Sequence, residues 1–527
     1  MAVTIKKYLI LNYFFVTIVS LFSHGGYRGL MIVDLLKSAA VTAKEHVAIE
    51  FKDHAITYAE LLKIITKVTN GLIGHEIKKG DQVAIILPNT PHFIFAYYAT
   101  LRTGAIVVPI NPFSRSDDLD VIFDRLEPRA VFIWEGFLAR FNKYIHDFPK
   151  KFILGEGSHQ LGINLQSFIA KSSDTEIDDT VVDESDDAVY YFTSGVTGAP
   201  KCVELTHENL TSVVTDLYDV IPATHADKFG GILPLSLLYA QMLIMNVALT
   251  RGARISLYPR IDRPTLEQAL FEDKITILIA SSSLLRTMID EFKDRVAAKQ
   301  TALKYVFTLG SPGNSTAAEE FEATFNVPVL EGYGLAESSA IVSFNRVLGH
   351  RKHGTVGLPL STLEVKIIDD NANKLNPGEV GEIAIRGKAV MKGYTNAVHA
   401  VPLDDGWFNT QDVGKVDEEG YLWFLERKDD IIVKSGFTIF PTEIENKLKE
   451  HPKIKELCIV GVPHTTFKQE VKACIVLKEG ESADPEEFRE FCKERIPVYQ
   501  RPQIFQFYDS LPKSSFGKVI RKKLRDS

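Results

Sequence analysis

Short apolar runs separated by helix-length segments fill the first two-thirds of this 527-residue chain, and that alternation limits the folds open to it. Val83-Ala-Ile-Ile-Leu87 is one such run. Asn89-Thr90-Pro91 then supplies a helix start, because proline is tolerated in a first turn. Gly104 stops the helix before a second run, Ala105-Ile-Val-Val108. A strand–helix–strand unit of this kind implies a parallel sheet covered by helices. The same alternation continues to about residue 360.

From Leu363 to Arg386 the period changes to two: Leu363-Glu-Val-Lys-Ile-Ile368 alternates, and Gly378-Glu-Val-Gly381 turns the chain into Glu382-Ile-Ala-Ile385. This pattern predicts antiparallel pairing in a small β subdomain. A charge run, Glu426-Arg-Lys-Asp-Asp430, follows. Beyond it, Glu456–Val460 and Val471–Val476 read as strands, and Asp484-Pro485 reads as the cap and first residue of a helix. No internal repeat or low-complexity stretch appears. The expected fold is α/β: a large N-terminal domain with two βα-layered sheet subdomains and a small β subdomain, then a smaller, mobile α+β C-terminal domain.

Hydrophobic residues make up 45% of the chain and charged residues 24%, the balance of a globular protein with a sizeable core. A net charge of −8 gives no general attraction to nucleic acid, so no nucleic-acid partner is expected. Cys202, Cys458, Cys474 and Cys492 form no CxxC pair and fit no zinc spacing. They read as reduced thiols of a cytoplasmic protein. At the N-terminus, Lys6 and Lys7 precede an apolar run from Tyr8 to Phe22 that Asn12 interrupts. Three readings stay open there: a domain that really starts at Met31, a short membrane anchor, or an export signal. The expected location is the cytoplasm, with membrane association left open.

The most informative segment is Tyr190-Tyr-Phe-Thr-Ser-Gly-Val-Thr-Gly-Ala-Pro-Lys-Cys202. An apolar strand, Ala188 to Phe192, runs into a loop of hydroxyls and glycines that ends in a lysine. Glycines allow close backbone approach to a ligand, and successive loop N–H groups cradle phosphate oxygens. The spacing is not that of the Walker loop. A helix begins near Thr206, with Leu210, Val213, Val214 and Leu217 on one face. The residues alone give a phosphate-binding loop, or a mobile surface turn.

Thr193-Ser-Gly-Val-Thr-Gly-Ala-Pro-Lys201 resembles the TSG(S/T)TGxPKG signature of the adenylate-forming superfamily, which includes acyl-CoA synthetases, adenylation domains of peptide synthetases and firefly luciferase. Similar motifs follow in that family's order from about residue 31 onward. The resemblance implies that Thr193, Ser194, Gly195, Thr197, Gly198 and Lys201 hold phosphate. Glu331-Gly-Tyr-Gly-Leu-Ala-Glu337 is similar to GYGxTE. That implies Tyr333 stacked on adenine, Gly334 beside it, and Glu337 holding Mg²⁺. Gly310 and Ser311 stand where the family places another adenine-contacting turn. Trp407–Asp412 resembles W(F/Y)xTGD, which puts Asp412 on the ribose. Arg427-Lys-Asp-Asp-Ile-Ile432 resembles RxKDxI, with Arg427 on the ribose and Asp429 as the hinge. Gly436 would line a thiol tunnel. Pro512–Arg521 resembles PxTxxGKxxR, which makes Lys518 the catalytic lysine. The implied organisation is an extension over 1–30, an adenylation domain over 31–428 and a lid domain over 429–527.

The implied reaction activates a carboxylic acid with ATP and Mg²⁺, then transfers it to a thiol. Val196, Cys202, Ala336, Gln411 and Ser435 depart from the family's motifs, while Lys201, Glu337, Asp412, Arg427 and Lys518 keep its charges. Leu237, Tyr239 and Gly332, with Ala340-Ile-Val342, would lie near the acyl pocket. None is a charged partner for an α-amino group, and Val107-Val-Pro-Ile-Asn-Pro112 reads most like medium- or long-chain fatty acyl-CoA ligases. The expected partners are a fatty acid and CoA. An aryl acid, a carrier-protein phosphopantetheine as acceptor, a degenerate nucleotide-binding protein and a peripheral membrane contact stay open. The sequence gives no oligomeric state.

Overall fold

Gln82–Ile86, Pro91–Arg102 and Ile106–Pro109 form the strand–helix–strand unit that the sequence predicts, and the two strands are parallel neighbours. The computed structural model describes residues 30–146, 148–156, 161–177, 180–193, 200–298, 301–309, 315–395, 404–482, 484–513 and 519–526. Around this unit an eight-stranded sheet is built. Its order is Gly393–Tyr394, Cys202–Thr206, Asp187–Phe192, Ile106–Pro109, Gln82–Ile86, Pro128–Trp134, Lys150–Leu154, Ile163–Asn164. It is parallel from Asp187–Phe192 outward and antiparallel at the Cys202–Thr206 end.

A nine-stranded sheet forms the second layer, with Lys228–Gly231 and Ile277–Ala280 near its centre. Pro91–Arg102 is buried on nearly every side, and so is His207–Val220. A helix that is apolar all round belongs inside a large core. Both helices share one cluster with residues of the two sheets, including Val83, Ile85, Ile255 and Ile277. Asn89-Thr90-Pro91 starts the helix as expected, and Asn89 has a further role. Its amide donates to the carbonyls of Gly231 and Leu233 and accepts from the N–H of Leu235, tying the two layers together. Thr90 is the cap.

Leu363–Ile368, Gly381–Gly387, Phe408–Val416 and Leu422–Arg427 form the antiparallel four-stranded sheet foreseen from the period-two alternation. The C-terminal segment has a separate five-stranded sheet and its own core, including Ile432, Ile459, Ile475 and Phe488. Asp484 caps Pro485–Arg495 through the N–H of Glu486, as its sequence position implies. The fold is therefore mixed α/β, with a large N-terminal part and a smaller C-terminal one. Among the described residues no helix is long and apolar enough to cross a membrane.

In the middle of Val329–Tyr333 lies a buried acid, Glu331. Burial pushes its carboxyl up to about 7, and the nearby Glu319 and Glu322 add to the shift against a bond from Gly354 N–H. In the unfolded chain this group titrates near 4.5. Between those values the unfolded state is ionised and the folded state is not, so stability falls as pH rises through the window. Glu331→Gln removes the penalty. Its thermal midpoint should exceed that of the wild type at pH 8 and match it near pH 4.5. Circular-dichroism melts over that range check this, and an equal difference at both ends contradicts it.

Candidate active site

The phosphate-loop candidate closes on itself. Asp187–Phe192 and Cys202–Thr206 are an antiparallel pair, so the loop leaves one strand and returns along its neighbour. The sequence reading ran from the loop directly to the helix and missed this second strand, which is only five residues long. Thr193 N–H donates to the Lys201 carbonyl at 2.9 Å, and Lys201 N–H donates to Thr193 Oγ1 at 3.3 Å. Thr206 then caps His207–Val220 in a reciprocal box with Asn209. Ser194, Gly195, Val196, Thr197 and Gly198 lie outside the described residues, as do Gly310, Ser311 and Lys518. Beside the loop's base is a small cleft lined by Pro109, Thr193, Pro200 and Ser236 among others.

The acidic turn follows Val329–Tyr333. Gly334 is required there, because a Cβ would lie 1.8 Å from the Ala340 carbonyl oxygen. Glu337 sits in the short 3₁₀ turn Ala336–Ser338, and Ser339 and Ala340 after it both have positive φ. One carboxylate oxygen of Glu337, Oε1, accepts from the Tyr394 hydroxyl at 2.7 Å. The Lys201 ammonium stands 5.0 Å from the centre of the same tyrosine ring. Burial, then Glu337, keeps the Tyr394 phenol above its ordinary pKa, so it stays a donor. Tyr394 thus joins the loop lysine to the acidic turn. Sequence reasoning did not find it, because a two-residue strand, Gly393–Tyr394, leaves no periodic trace.

Tyr333, Asp412 and Arg427, three of the residues expected to hold a nucleotide, form a second group, a wall around one carboxylate. Asp412 is buried, and its Oδ2 accepts from the Tyr333 hydroxyl at 2.6 Å. Arg427 Nε lies 3.5 Å from Asp412 Oδ1, since the two residues are cross-strand partners. Burial opposes the charge on Arg427, but Asp412 and more distant groups, Glu337 among them, raise its pKa overall. Tyr333 also packs against Phe424, ring centres 5.4 Å apart. Gln411, at the family's glycine position, has φ +59°. Left-handed backbone favours glycine, so this substitution stores strain beside the site. Trp407 of the same motif packs between Lys366 and Arg386.

The pocket candidates are apolar. Leu237 is buried, Tyr239 is largely so, and Ile341 and Val342 are inaccessible. The side of Gly332 that the sequence leaves open is filled: a Cβ there would meet the Phe344 ring at 2.7 Å. After Leu238–Ala240 the chain runs on as a π-helix, Gln241–Asn246, a form found often at functional sites.

Asp429 lies between two anchors. Lys428 pairs with Glu382 of the antiparallel sheet and with Asp370 in the turn after Leu363–Ile368. Asp430 pairs with Arg521 and Arg525, and Arg525 also donates to the Asp429 carbonyl. The Asp429 carboxylate has no partner among the described residues. Across this point Glu426 accepts from the N–H and hydroxyl of Thr442. Gly436 is on an exposed turn with φ +83°, next to Ser435 at +52°.

The chain is similar to known proteins along most of its length. Residues 36–395 match the AMP-binding enzyme family, and residues 443–518 match the AMP-binding enzyme C-terminal domain. A long-chain-fatty-acid–CoA ligase of Bacillus subtilis is 30% identical over 93% of each chain. A 2-succinylbenzoate–CoA ligase of Bacillus licheniformis is 28% identical over 93% of this chain and 98% of its own. ATP-bound MatB from Rhodopseudomonas palustris superimposes with a TM-score of 0.84, at 25% identity, over 94% of this chain and 99% of its own. The apo form of MatB, with the same coverage, scores 0.73.

The wall should behave as one unit. Asp412→Ala is expected to destabilise the protein by about 1–3 kcal/mol, since Tyr333 and Arg427 lose their buried partner. Tyr333→Phe added to it should cost little more, because the shared bond is already gone. Urea denaturation of both single variants and the double variant measures this. Additive losses would show that the two residues act independently.

Proposed function

The chain belongs to the AMP-binding enzyme family, and from that premise we propose that it is an ATP-dependent acid–thiol ligase acting on a medium- or long-chain fatty acid. One observation carries the reading. A loop lysine and a metal-competent carboxylate meet at Tyr394, and the Arg427 guanidinium meets the Asp412–Tyr333 wall. The arrangement suits a nucleotide laid from wall to loop.

A carboxylate is a poor acyl donor because its leaving oxygen is too basic. Attack on the α-phosphate of ATP gives a mixed anhydride and pyrophosphate. The protein supplies no nucleophile in this step; it aligns two anions and offsets their charge. In this proposal Asp412 and Arg427 hold the ribose, and Tyr333 lies along the base. Lys201 and the 193–201 loop hold the phosphates. Lys518 stabilises the charge that develops where acid and phosphate meet.

Glu337 fits Mg²⁺. Oε1 is oriented by Tyr394, and Oε2 accepts no hydrogen bond among the described residues. Those residues contain no cluster of three or more acidic, histidine or cysteine ligands. A single carboxylate suits an ion that takes its remaining ligands from phosphate and water. When bound, Mg²⁺ would offset phosphate charge.

For the second half-reaction, the proposed domains are 31–428 and 429–527, with Asp429 as the hinge. Rotation there would withdraw Lys518 and bring Gly436 to the acyl-adenylate, so that a thiol attacks and AMP leaves. CoA is the proposed thiol, in line with what the ligases it resembles are named for. The apolar setting of Leu237, Tyr239, Ile341 and Val342 supports an alkyl chain. A second reading, an aryl acid, is favoured by Phe344 filling the space beside Gly332, which shortens any pocket there.

The test is a panel of C8–C18 and aryl acids supplied with ATP, Mg²⁺ and CoA, with products read by mass spectrometry. Acyl-CoA and AMP in equal amounts are expected from the alkyl acids; aryl-CoA alone would transfer the assignment to the second reading. Lys518→Ala should lower adenylate formation by about 10²–10³-fold, the scale of losing one transition-state charge contact. Thioester formation from supplied acyl-AMP should survive the substitution. Equal loss of both steps contradicts the role given to Lys518.

A further inference from the structure

We propose that Tyr394 is a positioning residue of the nucleotide site: its hydroxyl orients Glu337 for the metal–nucleotide complex, and its ring seats the Lys201 ammonium before phosphate arrives. The inference rests on the nucleotide reading of the site given above.

The backbone fixes Tyr394 with respect to both partners. Gly393–Tyr394 pairs with Val203 and Glu204, immediately after the loop that ends in Lys201. Lys392 N–H donates to Glu204 O, and Thr395 N–H to Cys202 O. On the other side, Met391 N–H donates to the backbone carbonyl of Glu337 at 2.8 Å. Ser339 Oγ donates to Ala389 O at 3.0 Å. The tyrosine is therefore built into a short ribbon that touches the loop and the acidic turn together.

Its two contacts have different chemistry. The hydroxyl-to-carboxylate bond is charge-assisted and directional. It takes one oxygen of Glu337 and fixes the plane of the carboxylate, leaving the other oxygen for a cation. Without it, Glu337 sits on a three-residue turn with a side chain free to rotate. The Lys201 contact, at 5.0 Å, lies within cation–π range. It is weak enough to be exchanged for a phosphate oxygen, yet it places the ammonium at the mouth of the loop. Simple packing accounts for neither the direction of the hydroxyl nor the seat of the lysine.

The test separates hydroxyl from ring and metal from nucleotide. ATP is titrated calorimetrically into the full-length wild type, Tyr394→Phe and Tyr394→Leu, in Mg²⁺ and in EDTA. The Phe variant should bind ATP about tenfold more weakly in Mg²⁺, the lower end for losing a hydrogen bond to a charged group. In EDTA it should bind as the wild type does. The Leu variant should also lose affinity in EDTA, because Lys201 is no longer seated. In turnover, the KM for Mg·ATP should rise in the Phe variant while the KM for the acid stays fixed. Unchanged Mg·ATP binding in the Phe variant overturns the proposal, and so does an equal loss with and without metal, which marks a structural role. Failure of the wild type to bind ATP at all removes the nucleotide reading, and the proposal with it.

Discussion

The candidate site depends on one short return of the chain. After the strand Gly381–Gly387, residues 388–395 leave the antiparallel sheet and run back across the large domain. The carbonyls of Lys388 and Val390 accept from the Asn209 amide, on the helix that follows the phosphate loop. Ala389 and Met391 bind the acidic turn, and Gly393–Tyr394 pairs with the strand leaving the loop. Backbone groups buried in this way must be paired, so the return cannot shift without breaking several bonds at once. Loop, turn and tyrosine are thereby held in one frame.

The second constraint is the buried carboxylate of Asp412. It is stable there because a phenol and a guanidinium meet it. Its strand leads, through Leu422–Arg427, straight to Asp429. On one side of that residue Lys428 holds the antiparallel sheet; on the other Asp430 holds the buried Arg521 of the C-terminal part. A rotation confined to Asp429 leaves both anchors intact. The two bonds from Thr442 to Glu426 cross the proposed hinge and would break. Arg427, the last residue of Leu422–Arg427, is two positions before Asp429, which sets the proposed hinge beside the proposed nucleotide wall.

Much of this was legible in the sequence because it rests on local rules. The apolar runs flanking Pro91–Arg102, the period-two strands from Leu363, and the Asp484-Pro485 cap all state their structure within a few residues. Lys201 and Glu337 come together at Tyr394, and Tyr333, Asp412 and Arg427 meet one another, although the segments that carry them lie far apart in the chain. What was not legible is tertiary. The strand Cys202–Thr206 is too short and mixed to be told from loop. Tyr394 acquires meaning only from what surrounds it. The empty side of Gly332 is visible as an opening in sequence but is occupied in space by Phe344. At Gln411 and Ser435 the departures from glycine proved to be non-glycine residues in left-handed backbone, so the turn geometry is kept at a cost in strain.

In the proposed function these residues join an acid to the α-phosphate of ATP. Acid-dependent exchange of labelled pyrophosphate into ATP measures that step alone, without CoA. Exchange that needs Mg²⁺ and saturates with fatty acids is the expected result. Binding of ATP with no exchange for any carboxylic acid would contradict it, and would leave a nucleotide-binding protein that does not activate acids.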